Sequence, residues 1–146
     1  MPRRTLFEDL PKIPTGFNYG SLVIEPLSIT HAIIDFEAVV ATREFLYEKY
    51  RSRHMWPLSL TLHDNIVDLG WHEKEFRDRA SFAYTVTSPS RNKCFGCIYI
   101  TGEDDEAVLT YWLRKDIEIE VTERSFENAI RYWLRNEWPE CKIHIK

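Results

Sequence analysis

Residues Ala107 to Pro139 constrain this chain more than any other stretch, because an apolar run passes there into an amphipathic helix through an acidic junction. The run Ala107-Val108-Leu109-Thr110-Tyr111-Trp112-Leu113 is rich in β-branched and aromatic residues and reads as a strand. From Thr122 to about Trp138, the residues Phe126, Ile130, Trp133 and Leu134 share one helical face, with Arg124, Glu127, Arg131 and Arg135 mostly elsewhere. Pro139 ends the helix. The junction, Arg114-Lys115-Asp116-Ile117-Glu118-Ile119-Glu120-Val121, contains no glycine. A helix that starts after a strand presents unpaired N–H groups and the positive end of its dipole, which is how many folds hold a phosphate. Such junctions are usually rich in glycine, so that backbone and phosphate approach closely. The order of elements here suits a nucleotide-like cofactor, and the residues oppose it. A short closing strand, Cys141 to Ile145, completes a crossover and is expected to lie parallel to the 107–113 strand.

The acidity is local. From Glu103 to Glu127 there are nine acids and three bases, a charge of −6, against −4 for the whole chain of 146 residues. The rest is slightly basic, and the balance gives no case for nucleic acid or an anionic membrane surface as a partner. No apolar run has the length of a membrane-spanning helix. The start, Met1-Pro2-Arg3-Arg4, lacks the apolar segment of a signal peptide. Three cysteines do not suggest a secreted disulfide framework, so a reducing cytoplasm is the expected location.

The length suits one domain with a real core. Residues 1–20, with three prolines and two glycines, read as an irregular arm that packs through Phe17 and Tyr19; residues 21–146 read as the domain. Ser21 to Leu27 is the first strand, and Ser28 caps a helix running from about Ile29 to Tyr50, with Ile29, Ile33, Phe36 and Val40 at helical spacing. Arg51 to Ser59 is a loop. Thr61 and Asp64 form a capping arrangement for a second helix that runs to about Arg79 and bends near Gly70. Ser81–Thr87, Cys94–Thr101 and 107–113, joined by short turns, form an antiparallel meander.

The order strand, helix, helix, three-strand meander, helix, strand resembles the GNAT superfamily of acyl-CoA-dependent N-acyltransferases. Local phrases support it over about residues 21–146: Trp56-Pro57, Phe76-Arg77-Asp78-Arg79 before Phe82-Ala83-Tyr84-Thr85-Val86, Gly96-Cys97-Ile98-Tyr99, and Tyr111-Trp112-Leu113-Arg114 before the helix. The resemblance implies an α/β (α+β) fold: a central mixed sheet of about five strands, mostly antiparallel, with three to four helices on its faces. It implies acetyl-CoA or another acyl-CoA as donor and a small-molecule or peptide amine as acceptor. It places donor contacts at Trp112, Leu113 and Arg114 and at the helix start, Val121, Thr122 and Glu123. It also places a general base for the amine at Glu106, whose plain reading is a solvated turn residue in the acidic run.

This sequence departs from the family's diphosphate-binding pattern, Arg/Gln-x-x-Gly-x-Gly/Ala. Glu118 stands at the Arg/Gln position, Val121 at the first glycine and Glu123 at the second small residue. Two unit charges about 6 Å apart at an effective dielectric near 20 repel by roughly 2–3 kcal/mol. Two carboxylates beside a diphosphate therefore imply weak or absent CoA binding, which makes a non-catalytic interaction or small-ligand binding protein the alternative. The family usually continues past this point with a helix and two further strands. The helix often carries a Tyr general acid, which has no counterpart here; completion of the sheet by a second copy, a homodimer, is the matching expectation.

A second alternative is structural zinc. Cys94-x-x-Cys97 and Cys141-x-x-His144 spell four ligands. Against it, residues i and i+3 of a strand point to opposite faces, and the two strands should lie about 10 Å apart. His31, His54, His63 and His72 show no metal-ligand spacing among themselves, and surface or packing roles are expected for them, with a place lining an acceptor pocket the alternative for His54.

Overall fold

The computed structural model describes residues 6–139 and 141–146. The β-branched and aromatic runs form one six-stranded sheet in chain order: β1 (Phe17–Tyr19), β2 (Leu22–Pro26), β3 (Phe82–Thr87), β4 (Cys94–Glu103), β5 (Glu106–Leu113) and β6 (Ile143–Ile145). Neighbours are antiparallel except β5 and β6, which are parallel, as the crossover through α4 (Glu123–Glu137) requires. The sheet has one strand more than expected, because β1 lies inside the segment read as an irregular arm. Gly16 makes the close approach there: at φ +119°, a Cβ would sit 1.9 Å from the Ile24 carbonyl oxygen.

Side-chain alternation divides the core between the two faces of the sheet. On one face α4 buries Phe126, Ile130 and Trp133 against Tyr84, Ile98, Ile100, Leu109 and Leu113. The arm joins this core through Phe7 and Leu10, and Phe17 and Tyr19 pack against it. Trp138 is core as well, 5.4 Å from Phe82 between ring centroids. Tyr84 donates its hydroxyl to the Pro14 carbonyl at 2.6 Å, fixing the arm across the sheet. Residues 1–5 lie outside the described residues.

The other face carries α1 (Ala32–Ala41), α2 (Arg43–Tyr50) and α3 (Leu62–Arg77) over Ala83, Cys94, Cys97 and Trp112. The single helix expected over 29–50 is in fact a 3₁₀ turn at Ile29–His31 followed by two helices. The break falls at Thr42, whose hydroxyl donates back to the Ala38 carbonyl at 2.9 Å, a pattern that bends helices. The buried face also differs from the one expected. Ile33 is 74% exposed, and Ala32, Asp35, Ala38 and Val39 turn inward. Asp35 decides the rotation, because its carboxylate accepts from Asn65 Nδ2 at 3.0 Å and from the Cys97 thiol at 3.4 Å. Helix α3 runs unbroken through Gly70, so the expected bend is not there. Its start is as read, with Thr61 Oγ1 accepting the Asp64 N–H at 3.1 Å.

Candidate functional site

Strands β5 and β6 part company halfway. The parallel ladder covers Ala107, Val108 and Leu109, ending with the Lys146 N–H donated to the Leu109 carbonyl at 2.9 Å. From Thr110 to Leu113, β5 pairs with β4 alone. The Leu109 carbonyl faces β6, so by the two-residue period the backbone groups of Tyr111 and Leu113 face the same open side. Trp112 and Arg114 face the other way: the Arg114 N–H donates to the Phe95 carbonyl at 2.8 Å. Of the three residues expected to offer main-chain contacts, only Leu113 therefore presents its backbone to the open edge. Tyr111, which the sequence did not single out, presents its own as well.

At the start of α4, two backbone N–H groups pair with the chain's own side chains. Thr122 Oγ1 accepts the Ser125 N–H at 3.0 Å, and the Thr122 N–H donates to Ser125 Oγ at 3.1 Å. Glu123 in the first turn is hydrogen-bonded to Lys115. Glu118 is exposed and Val121 packs against the core. The Arg114 side chain is 1% exposed, and its five N–H donors are all committed. They reach both Glu37 oxygens at 2.8 and 2.6 Å, both Asp116 oxygens at 2.8 and 2.9 Å, and the Cys94 carbonyl at 3.1 Å. Its bonds to Glu37 and then Asp116 hold the guanidinium charged, and Arg114 in turn holds both carboxyls below their ordinary range. Among the described residues, the cations at this junction are Arg114 and Lys115, both paired, and the exposed Arg124.

A cavity of about 880 Å³ opens on the face opposite α4, reaching Thr110 where β5 and β6 separate. Helix α3 contributes Asp64, Asp68, His72 and Glu75, whose spacings of four, four and three place them on one face. Opposite stand Tyr50, Trp56, Tyr99 and the 51–60 loop, which includes the cis Trp56–Pro57 bond. His54, for which a surface or packing role is the first expectation, lines the cavity. The Tyr50 hydroxyl donates to Thr110 Oγ1 at 3.2 Å, and the Tyr99 hydroxyl accepts from Trp112 Nε1 at 3.0 Å. His72 stacks on Tyr99, centroids 5.8 Å apart. Burial pushes His72 down from its ordinary value, which favours the neutral ring, and pushes Asp68 up from its own. From the sequence alone, His72 reads as one histidine among several, with no metal-ligand spacing to the others. The signal that could have found it is the polar stripe at 64, 68, 72 and 75 along one face of α3.

Glu106 is exposed at the start of β5, opposite Glu103 in the hairpin, and does not line the cavity; its surroundings are those of the solvated turn residue. The four-ligand zinc set does not assemble. Cys141 packs on the α4 face and His144 is exposed on β6, whereas Cys94 and Cys97 are buried on the other face. The two cysteines share that face because Phe95 is an extra residue in β4: Thr87 pairs with Cys94 and Val86 with Gly96. The bulge reverses the alternation on which the opposite-face expectation rested. Among the described residues, the sulfurs instead meet Asp35, all three ligand atoms lying within 4.8 Å of one another.

No family model matches the chain, and no curated protein matches it. Solved structures do. The microcin C7 self-immunity acetyltransferase MccE, in complex with acetyl-CoA and AMP, has a TM-score of 0.68 at 14% identity, over 94% of this chain and 76% of that one. RimL, a ribosomal L7/L12 alpha-N-protein acetyltransferase, in complex with coenzyme A, gives 0.61 at 16% identity, over 84% and 67%. The apo form gives 0.60 at 15%, over 86% of this chain, which spans 65% of the length of that one. At such identities the likeness is one of fold alone, and the chain has the fold of the GNAT N-acetyltransferases.

Proposed function

We propose that this chain is an acyl-CoA-dependent N-acyltransferase whose donor lies along the open edge of β5 and whose acceptor amine enters the cavity over Thr110. The observation that carries this reading is that the β5–β6 ladder stops at Leu109, where the cavity reaches the sheet. The pantetheine arm fits: its amides would find the free backbone groups of Tyr111 and Leu113. The diphosphate does not fit, since α4 is capped by Thr122 and Ser125 and carries Glu123. Affinity for the donor then rests on the arm. When bound, acyl-CoA supplies the activated thioester. Tyr50 and Thr110 close the apex of the opening with their hydroxyl pair. His72, kept neutral by burial, accepts the acceptor amine's proton on a ring nitrogen.

The committed donors at the α4 junction favour a second reading, a ligand-binding protein of this fold without transfer. Titration calorimetry with acetyl-CoA and CoA, followed by thiol release with a panel of amines, separates them. Dissociation constants of tens of micromolar or below, with thiol release, support transfer; no heat at millimolar acetyl-CoA overturns it.

A further inference from the structure

The cavity's inner corner has walls unlike those of a pocket built for hydrogen bonding. Tyr50 stands 6.0 Å from Trp56 at 72° and 6.0 Å from Tyr99 at 74°, and His72 stacks on Tyr99. Rings set nearly perpendicular enclose a corner rather than a stack. The hydroxyls of Tyr50 and Tyr99 are engaged by Thr110 and Trp112, so the lining these residues offer is mainly ring carbon.

Charge follows the same pattern. Among the described residues, the half-buried Asp68 carboxylate has no hydrogen bond and no ion pair. Glu75 accepts from the Ser81 hydroxyl. Of the basic residues on the lining, Lys146 pairs with Glu103 at 3.3 Å, and Lys49 lies over the rings of Tyr50 and Tyr111 at 6.0 and 5.7 Å. Arg53 is exposed. Aromatic rings attract a cation through their quadrupole, and an alkylated ammonium gains most, since it is weakly hydrated and asks for few acceptors. One carboxylate, partly withdrawn from water, completes such a site.

We propose that the aromatic corner formed by Tyr50, Trp56 and Tyr99, in the cavity that Asp68 also lines, binds an alkylated ammonium group of the protein's ligand. A quaternary nitrogen cannot be acylated, so this is a recognition element distinct from the acceptor nitrogen. The inference uses the cavity of the reading above but no acyl donor, so it stands or falls separately from acetyl-CoA binding.

The test is calorimetry or Trp fluorescence in phosphate buffer with three probes of one skeleton: choline, ethanolamine and the neutral isostere 3,3-dimethylbutan-1-ol. Choline should bind at least about fivefold more tightly than either. Asp68→Asn and Trp56→Leu should each weaken choline by at least about threefold, with Asp68→Asn, nearly isosteric, retaining the wild-type melting temperature. Equal binding of ethanolamine or of the neutral alcohol overturns the proposal. So does the absence of choline binding up to about 50 mM, or Asp68→Asn binding choline like the wild type.

Discussion

Arg114 shows how one side chain removes itself from a candidate site. A buried guanidinium whose partners are Glu37 and Asp116 is a structural clamp tying β5 to α1, and all its donors are directed inward. Removing it leaves two carboxylates that are 50% and 35% exposed and can return to water, so the cost is below that of breaking a fully buried pair. Arg114→Ala should lower stability by about 1–3 kcal/mol in urea unfolding at neutral pH. Because Glu37 and Asp116 have folded values below their unfolded ones, their contribution is complete above the ordinary carboxylate range. It disappears as pH falls through the folded values, so Arg114→Ala should flatten the acid limb of the stability profile. His72 gives a pH dependence of the same sign from a different cause. Burial lowers its folded value, with the carboxylates of Glu75, Asp35 and Asp68 opposing, and Tyr99 stacked on the ring. The unfolded chain then takes up the proton first, and stability should fall as pH drops below about 6.5. His72→Gln should remove that part of the slope, read as melting temperature between pH 7.5 and 5.

Strand β4 and its bulge carry the argument at the scale of elements. Phe95 adds a residue, and Gly96 beside it meets the opposite strand so closely that a Cβ would lie 2.0 Å from the Trp112 carbonyl oxygen. Gly96→Ala must push β4 and β5 apart in the middle of the sheet, and should cost about 3 kcal/mol or more, or abolish soluble expression; retention of the wild-type midpoint in urea would contradict this geometry. The bulge was not legible in the sequence. The alternation of CFGCIYIT admits a regular strand, and only pairing with β3 reveals the extra residue. Helix α1 was misread for a related reason. Ile29, Ile33, Phe36 and Val40 have the better apolar spacing, but Asp35 turns inward to meet Asn65 and Cys97, which no local pattern can announce. Helix α4 was legible throughout, since its apolar stripe marks the buried face and Pro139 its end.

At the scale of the whole molecule, the arm is part of the core that α4 closes. Phe7 sits 5.0 Å from Phe82 and 6.5 Å from Trp138 between ring centroids, in a cluster that also includes Phe76, Tyr84 and Trp133. Phe7→Ala should lower stability by about 3–5 kcal/mol, measured by urea or thermal unfolding, because the cavity it leaves is walled by rings that cannot collapse.

The sequence by itself determined the order of the meander, the last helix and the parallel closing strand, and the local acidity of the junction before α4. Each follows from local periodicity, capping chemistry and charge, all of which are written along the chain. The tertiary structure alone decided which cysteines meet, which face of α1 is buried, that Arg114 is locked in a clamp, and that Tyr50, Trp56, Asp68, His72 and Tyr99 surround one cavity. Those facts depend on register and packing between segments far apart in sequence, where a single bulge or one buried carboxylate redirects every neighbouring side chain.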